Sequence, residues 1–315
     1  SSSSGASSLN GLTDVLVEDS SIYLGNNPSS TTSTAQYNIA VGTTALDAIT
    51  TGDENVSVGY NALTANTTGR NNIAVGTDAL SKNTTGVDNV AIGDSAMADN
   101  TTGSNNTAIG NWALDTNTTG WNNVAVGLDA LSSNTTASYN TTVGFQSMAT
   151  NSTGEKNTAM GYQSFALNTT GANNTAVGYW ALVNNTTASN NTAVGYAALG
   201  NNTTATENAA VGGGALFSNT TGDSNTAVGY AALYSNTTAS KNTAIGKFAL
   251  YSNTTGADNT GIGYSSLNGN TTGTRNIAIG RGAYDTADTE NDNLAIGLDA
   301  LGGAIAGGEY NVAIG

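Results

Sequence analysis

No cysteine and no histidine occur among the 315 residues of the chain. Without cysteine there is no disulfide staple and no thiolate metal site, so packing and hydrogen bonds must hold the fold together. Without histidine the commonest general base and metal ligand is missing. Basic residues are scarce as well. Seven Lys and Arg face 22 Asp and Glu, and the formal charge of −15 repels nucleic acid backbones and anionic membranes alike. No apolar run approaches the ~20 residues that a membrane helix needs, and no signal peptide is visible. Charged residues of both signs make up only 9% of the chain, unlike the charged sequences that stay disordered.

What the chain has instead is repetition. One pentapeptide, Asn-x-Ala-(Val/Ile)-Gly, returns every 17 residues, its glycines running from Gly42, Gly59 and Gly76 to Gly280 and Gly297. From Gly42 to Gly297 is 255 residues, fifteen steps of 17 with no insertion or deletion. The register reaches back to Gly25 and, one residue late, forward to Gly315. So short a period overrides the expectation of one or two globular domains and means coils stacked on their neighbours. It predicts an all-β fold, a parallel β-roll or β-solenoid of 17-residue coils over 21–315, behind a Ser-rich lead-in and N-terminal cap at 1–20. No helix competes, because apolar positions never recur at three and four and β-branched residues and glycines crowd each repeat.

In the coil around Gly195, Thr192 and Val194 share one face of a short strand and Ala193 takes the other. Gly195 ends the strand, where a backbone without Cβ can adopt a positive φ or approach a neighbour closely. Ala198-Leu199 reads as a second extended segment, and Asn202-Thr203-Thr204 as the return turn. Two alanine columns, one with Ala40, Ala74 and Ala108 and one with Ala45, Ala62 and Ala113, imply an interior with room for little more than a methyl group. A Val/Ile column (Val41, Val75, Ile92, Ile109) and a Leu column (Leu46, Leu63, Leu80, Leu114) then exceed what that interior can hold. The surplus predicts a partner chain, most simply self-association as a homotrimer. The pentapeptide Asn, present from Asn38 to Asn293 and again at Asn311, is expected to tolerate a left-handed turn and to bond to the same amide one coil away.

Asn105-Asn106-Thr107-Ala108-Ile109-Gly110 and Asn89-Val90-Ala91-Ile92-Gly93 resemble the Asn-Ser-Val-Ala-Ile-Gly repeat of YadA-like heads from trimeric autotransporter adhesins. The resemblance covers essentially residues 21 to 315 and lies in the repetition of the motif. It implies a left-handed parallel β-roll, three chains around one axis, and an extracellular fibre displayed on a cell or virion. The chain departs from that family in its longer coils, with an added Asn-Thr-Thr-Gly turn, and in showing no neck, stalk or membrane anchor after them. The longer coil also resembles repeat regions of phage tail-fibre proteins.

Candidate sites are few. Phe145, Tyr162, Tyr179 and Tyr196 hold one position in four successive coils, and Phe217, Tyr234 and Tyr251 another in three. Such stacks can bind sugar rings, here cell-surface glycans, or simply pack along the repeat. Asp285, Asp288, Glu290 and Asp292 replace the usual turn with an acidic one that offers oxygen ligands to calcium or is only solvated, since it lacks the spacing of a known calcium loop. Asn66, Asn83, Asn100, Asn117, Asn134, Asn151, Asn168, Asn185, Asn202, Asn219, Asn236, Asn253 and Asn270 each begin an Asn-x-Ser/Thr sequon. They are candidate glycan acceptors exposed on a turn, although turn chemistry accounts for the same residues and sugars ~4.8 Å apart would crowd. No nucleophile, base or carboxylate pair stands out from the repeats, so no enzyme is expected. The expected function is a structural and adhesive fibre that presents or spaces a receptor-binding tip. The alternatives are a glycan-coated extracellular fibril or an ice-binding solenoid with a Thr-rich face.

Overall fold

The computed structural model describes residues 15–25, 28, 33–286, 289–303 and 308–315. Among them there is no helix, and the chain divides into two compact units, Ser1–Glu155 and Lys156–Gly315. The first unit opens with a hairpin in which Val15–Glu18 pairs antiparallel with Ser21–Leu24. Its turn residues Asp19 and Ser20 both have positive φ, 45° and 63°, as a tight two-residue hairpin requires. Ser21–Leu24 then pairs in parallel with Ile39–Val41. A three-residue strand recurs to Thr141–Val143, each residue facing the one 17 positions on, as Val124 faces Thr141. In the second unit the same parallel ladder runs from Thr158–Met160 to Val312–Ile314, and its last step, Leu294 to Val312, takes up the one extra residue. Each unit is therefore a parallel β-solenoid.

The coil from Asn225 to Lys241 shows how the sequence closes the turn. Thr226–Val228 is its strand, with Ala227 wholly buried and Thr226 and Val228 turned outward. Gly229 ends it at φ 133°, and a Cβ there would sit 2.6 Å from the carbonyl carbon of Gly246 one coil on. Both reasons for glycine thus hold at that position. The backbone then alternates, with Ala231 and Leu233 at φ 53° and 54°. Hydrogen bonds run to both neighbours all the way round. Ala231 N donates to Gly213 O at 2.9 Å, whereas Leu233 N donates to Ala249 O at 2.9 Å and Thr237 N to Thr254 O at 3.0 Å.

Three sequence expectations are corrected here. The segment at Ala198-Leu199 is not extended: both residues lie in a run of turns, and Leu199 has φ +51°. Stacking hydrogen bonds do the work a second strand was expected to do. The interior is not limited to methyl groups either. The Leu column is the core, buried at 0% exposure from Leu46 to Leu267, with Met97, Met148, Phe165 and Tyr284 in the same column. Only the Val/Ile column stays uncovered. Finally, the pentapeptide Asn is not the left-handed residue. The residue before it is, as at Asn71, Asn105 and Asn190 with φ 55°, 58° and 62°.

A leucine at positive φ is uncommon and costs about 1–2 kcal/mol. Full burial of its side chain contributes ~1.5–3 kcal/mol, which offsets that cost. Leu216→Ala is accordingly expected to destabilise the second unit by about 2–5 kcal/mol. Leu216→Met, which copies Met97 and Met148, should cost under about 1.5 kcal/mol. Denaturant midpoints of the two variants check the order.

Candidate aromatic groove

Both asparagines of a coil point inward. The pentapeptide asparagines form the expected ladder: Asn55 N and Nδ2 donate to Asn38 Oδ1 at 2.9 and 3.0 Å, and Asn225 N donates to Asn208 Oδ1 at 2.9 Å. The sequon asparagines form a second one. Asn83 Nδ2 donates to Asn66 Oδ1 at 2.8 Å in the first unit, and Asn236 Nδ2 to Asn219 Oδ1 at 2.9 Å in the second. All thirteen sequon asparagines, Asn66 to Asn270, are buried at 0% exposure. The expectation that they stand exposed on a turn is thus corrected, and a glycan on Nδ2 would break the ladder that the folded coil contains. The threonines after them split. The first donates its hydroxyl to the next coil, as Thr237 Oγ1 does to Thr254 O at 3.2 Å, and the second alone faces outward, so the pair does not share a face. Asn236→Ala should cost about 1–3 kcal/mol, the penalty of stranded buried partners, in the unfolding free energy measured against Thr238→Ala as an exposed control.

Among the described residues the carboxylates of the acidic turn do not converge. Arg275 holds Asp292 through Nε at 2.6 Å and Nη2 at 2.7 Å, which keeps that carboxyl below its usual range. Glu290 Oε2 accepts from Thr289 N at 3.2 Å, and Asp288 lies outside the described residues. Among the described residues, no group of three or more His, Cys, Asp or Glu converges as a metal site. The sequon ladder also ends here, because the position 17 after Asn270 is Ala287 and Asn270 Oδ1 has no donor among the described residues. In this coil the buried column carries Tyr284, whose hydroxyl accepts from Asn293 Nδ2 at 2.9 Å. Burial first, then the charge of Glu290, pushes the phenol up to about 12. The folded state therefore favours the neutral phenol relative to an unfolded phenol near ~10. Stability present below about pH 10 should be lost as the pH rises toward 12, and Tyr284→Phe should flatten that loss in thermal unfolding curves taken across the window.

The aromatic residues do come together, though not as a uniform platform. Phe145 belongs to the first unit and is 39% exposed. In the second unit Tyr162, Tyr179 and Tyr196 stack nearly parallel, with centroids 5.0 and 5.7 Å apart. Phe217, Tyr234 and Tyr251 form a second stack at 5.3 and 5.4 Å. Between the two stacks the pattern of side chains fails at Gly213-Gly214. A cavity of ≈ 290 Å³ opens there, floored by Gly213, Gly214, Ala197 and Ala231 and walled by Trp180, Tyr196, Phe217, Tyr230 and Tyr234. Tyr196 and Tyr230, on either side of the gap, are 61% and 60% exposed, against 42% for Tyr162 and Tyr179 within the row. Both rings beside the missing side chain are thus more open than those within the row.

No charged residue lines the groove. The indole N–H of Trp180 donates to Gln163 Oε1 at 3.0 Å, and Lys247 Nζ lies 4.8 Å over the Phe248 ring and 5.8 Å from that of Tyr230 at the margin. Sequence reading found all six ring residues that build the two stacks in this unit, three of which line the groove, but not Trp180 or Tyr230 as part of a site. The available signal was the Gly213-Gly214 pair, which breaks the column of large residues without breaking the period. Comparison with protein-family models and with curated proteins gives no match.

Proposed function

We propose that the chain is a non-enzymatic structural and adhesive fibre segment, a left-handed homotrimeric β-solenoid that works outside the cell, on a cell surface or virion, and spaces or presents a receptor-binding tip. The observation that carries this reading is the uncovered Val/Ile column. Val211, Val228 and Ile245 remain 37–40% exposed on one outward strand face, one per coil, although the same coils bury every leucine of the neighbouring column. In the first unit Ile92, Ile109 and Val143 repeat the pattern at 38–40%. A continuous apolar stripe of this kind is a surface for association. The identical spacing on every copy suits a second and third copy of the same chain, since in-register stripes can meet about one axis.

Two further features support the reading. The 17-residue register runs through the boundary at 155/156 without an insertion, as Gly144 and Gly161 show. The net charge of −15 disfavours nucleic acid and anionic lipid as partners, which leaves protein and glycan surfaces. The test is light scattering on the purified chain, with three times the chain mass expected. Paired Val211→Lys and Ile245→Lys should dissociate the particle while leaving the far-UV circular dichroism unchanged. A wild-type chain that stays monomeric at high concentration would sink the proposal.

A further inference from the structure

We infer that the notch at Gly213-Gly214 is a binding subsite for the apolar face of a neutral pyranose, clasped between Tyr196 and Tyr230. This deepens the adhesive reading above by naming a ligand class, and it rests on that reading for its biological use.

The backbone does not need glycine at position 213. Gly212 N donates to Val194 O at 2.8 Å, Gly214 N to Tyr196 O at 2.9 Å and Ala231 N to Gly213 O at 2.9 Å, so the stacking is continuous through the notch. Gly213 lies outside the left-handed region, and a Cβ on it would meet only the Tyr230 ring at 3.5 Å, an ordinary contact. Gly214 has φ +66°, but Ala197 and Ala231 hold the same position in adjacent coils at 51° and 53°. Gly213 therefore removes a side chain without relieving strain, whereas Gly214 also relieves a left-handed φ and a Cβ contact of 3.3 Å with the Tyr234 ring. What Gly213 leaves is an unfilled ring position between Tyr196 and Tyr230.

The dimensions follow from the stack. Tyr196 and Tyr230 are two coils apart, a separation of ~9.6 Å at the pitch of paired strands. Rings in the intact row sit 5.0 and 5.7 Å apart, so one ring in the gap restores the spacing on both sides. A cavity of ≈ 290 Å³ is at the small end of the ~300–1,000 Å³ range of ligand pockets, and so fits one or two rings and not an extended peptide. The chemistry selects among rings. With no charge in the lining and aromatic rings on both walls, the favoured occupant is uncharged and offers C–H groups above and below its plane. A pyranose does so while its equatorial hydroxyls stay in the water at the open rim.

The experiment titrates the intact chain with cellohexaose, maltohexaose and laminarihexaose. Binding is followed by saturation-transfer NMR, and light scattering is recorded on the same samples. At least one sugar is expected to bind saturably with transfer to its ring C–H protons. Gly213→Tyr, which restores the residue found at this position in neighbouring coils, should weaken binding by roughly tenfold or more, and Tyr196→Ala by roughly 3- to 10-fold. Tyr264→Ala, outside the groove, should leave it unchanged. The inference is overturned if no sugar binds while the oligomer is intact, if Gly213→Tyr binds undiminished, or if decaproline occupies the groove and the sugars do not. Sugar binding by a monomeric chain would retain the subsite and remove the fibre.

Discussion

In every coil that carries a sequon asparagine one turn carbonyl accepts two buried amides, and the rest of the coil is arranged around it. In the second unit Ala239 O accepts Asn225 Nδ2 at 2.8 Å and Asn236 Nδ2 at 2.9 Å; in the first, Gly86 O accepts Asn72 Nδ2 at 2.9 Å and Asn83 Nδ2 at 3.1 Å. Each of those amides also reaches back to its counterpart in the preceding coil through an Asn oxygen or its own backbone N–H. A shift of one residue would strand several buried polar groups at once, at about 1–3 kcal/mol each. This explains why a sequence so free in its outward residues admits no insertion over fifteen repeats. The polar spine fixes the register, and the apolar columns fill the space that is left.

The leucine column is the second half of the same solution. A 17-residue coil with one three-residue strand must turn back within a few residues, which it does by alternating backbone handedness through the turn. The price is a bulky side chain at positive φ in every coil, from Leu46 at 57° to Leu301 at 54°. Inter-coil hydrogen bonds on both sides of the turn hold that conformation, and burial of the side chain favours it. Where the sequon amide drops out, at Ala287, the column changes from Leu to Tyr284, and a phenol hydroxyl enters the polar spine through Asn293.

Much of this was legible in the sequence. The period gave the parallel ladder, the small residue in Ile-Ala-Val and Thr-Ala-Val segments marked the inward face, and the repeated Asn implied an amide ladder. The second ladder was hidden because Asn-Thr-Thr-Gly has the composition of a solvated turn, and only the geometry shows that its asparagine folds inward. The Leu column was misjudged for a related reason. Strand periodicity describes extended chain, whereas Leu199 and its equivalents sit in left-handed turns that swing the side chain into the core. The groove was missed because it is built from an absence. Two glycines are inconspicuous in a chain with 40 of them.

Because the hydrogen bonds between coils, among the described residues, link each coil to the one before and the one after, and because the spine residues are nearly the same each time, the repeats are interchangeable at the level of the gene. A recombination slip that duplicates or deletes one repeat of coding sequence, in frame, leaves both new neighbours with partners of the right identity. Such a chain can change length in evolution without first redesigning a core. The notch at Gly213-Gly214 is assembled from a few adjacent coils, so it would travel intact through such changes.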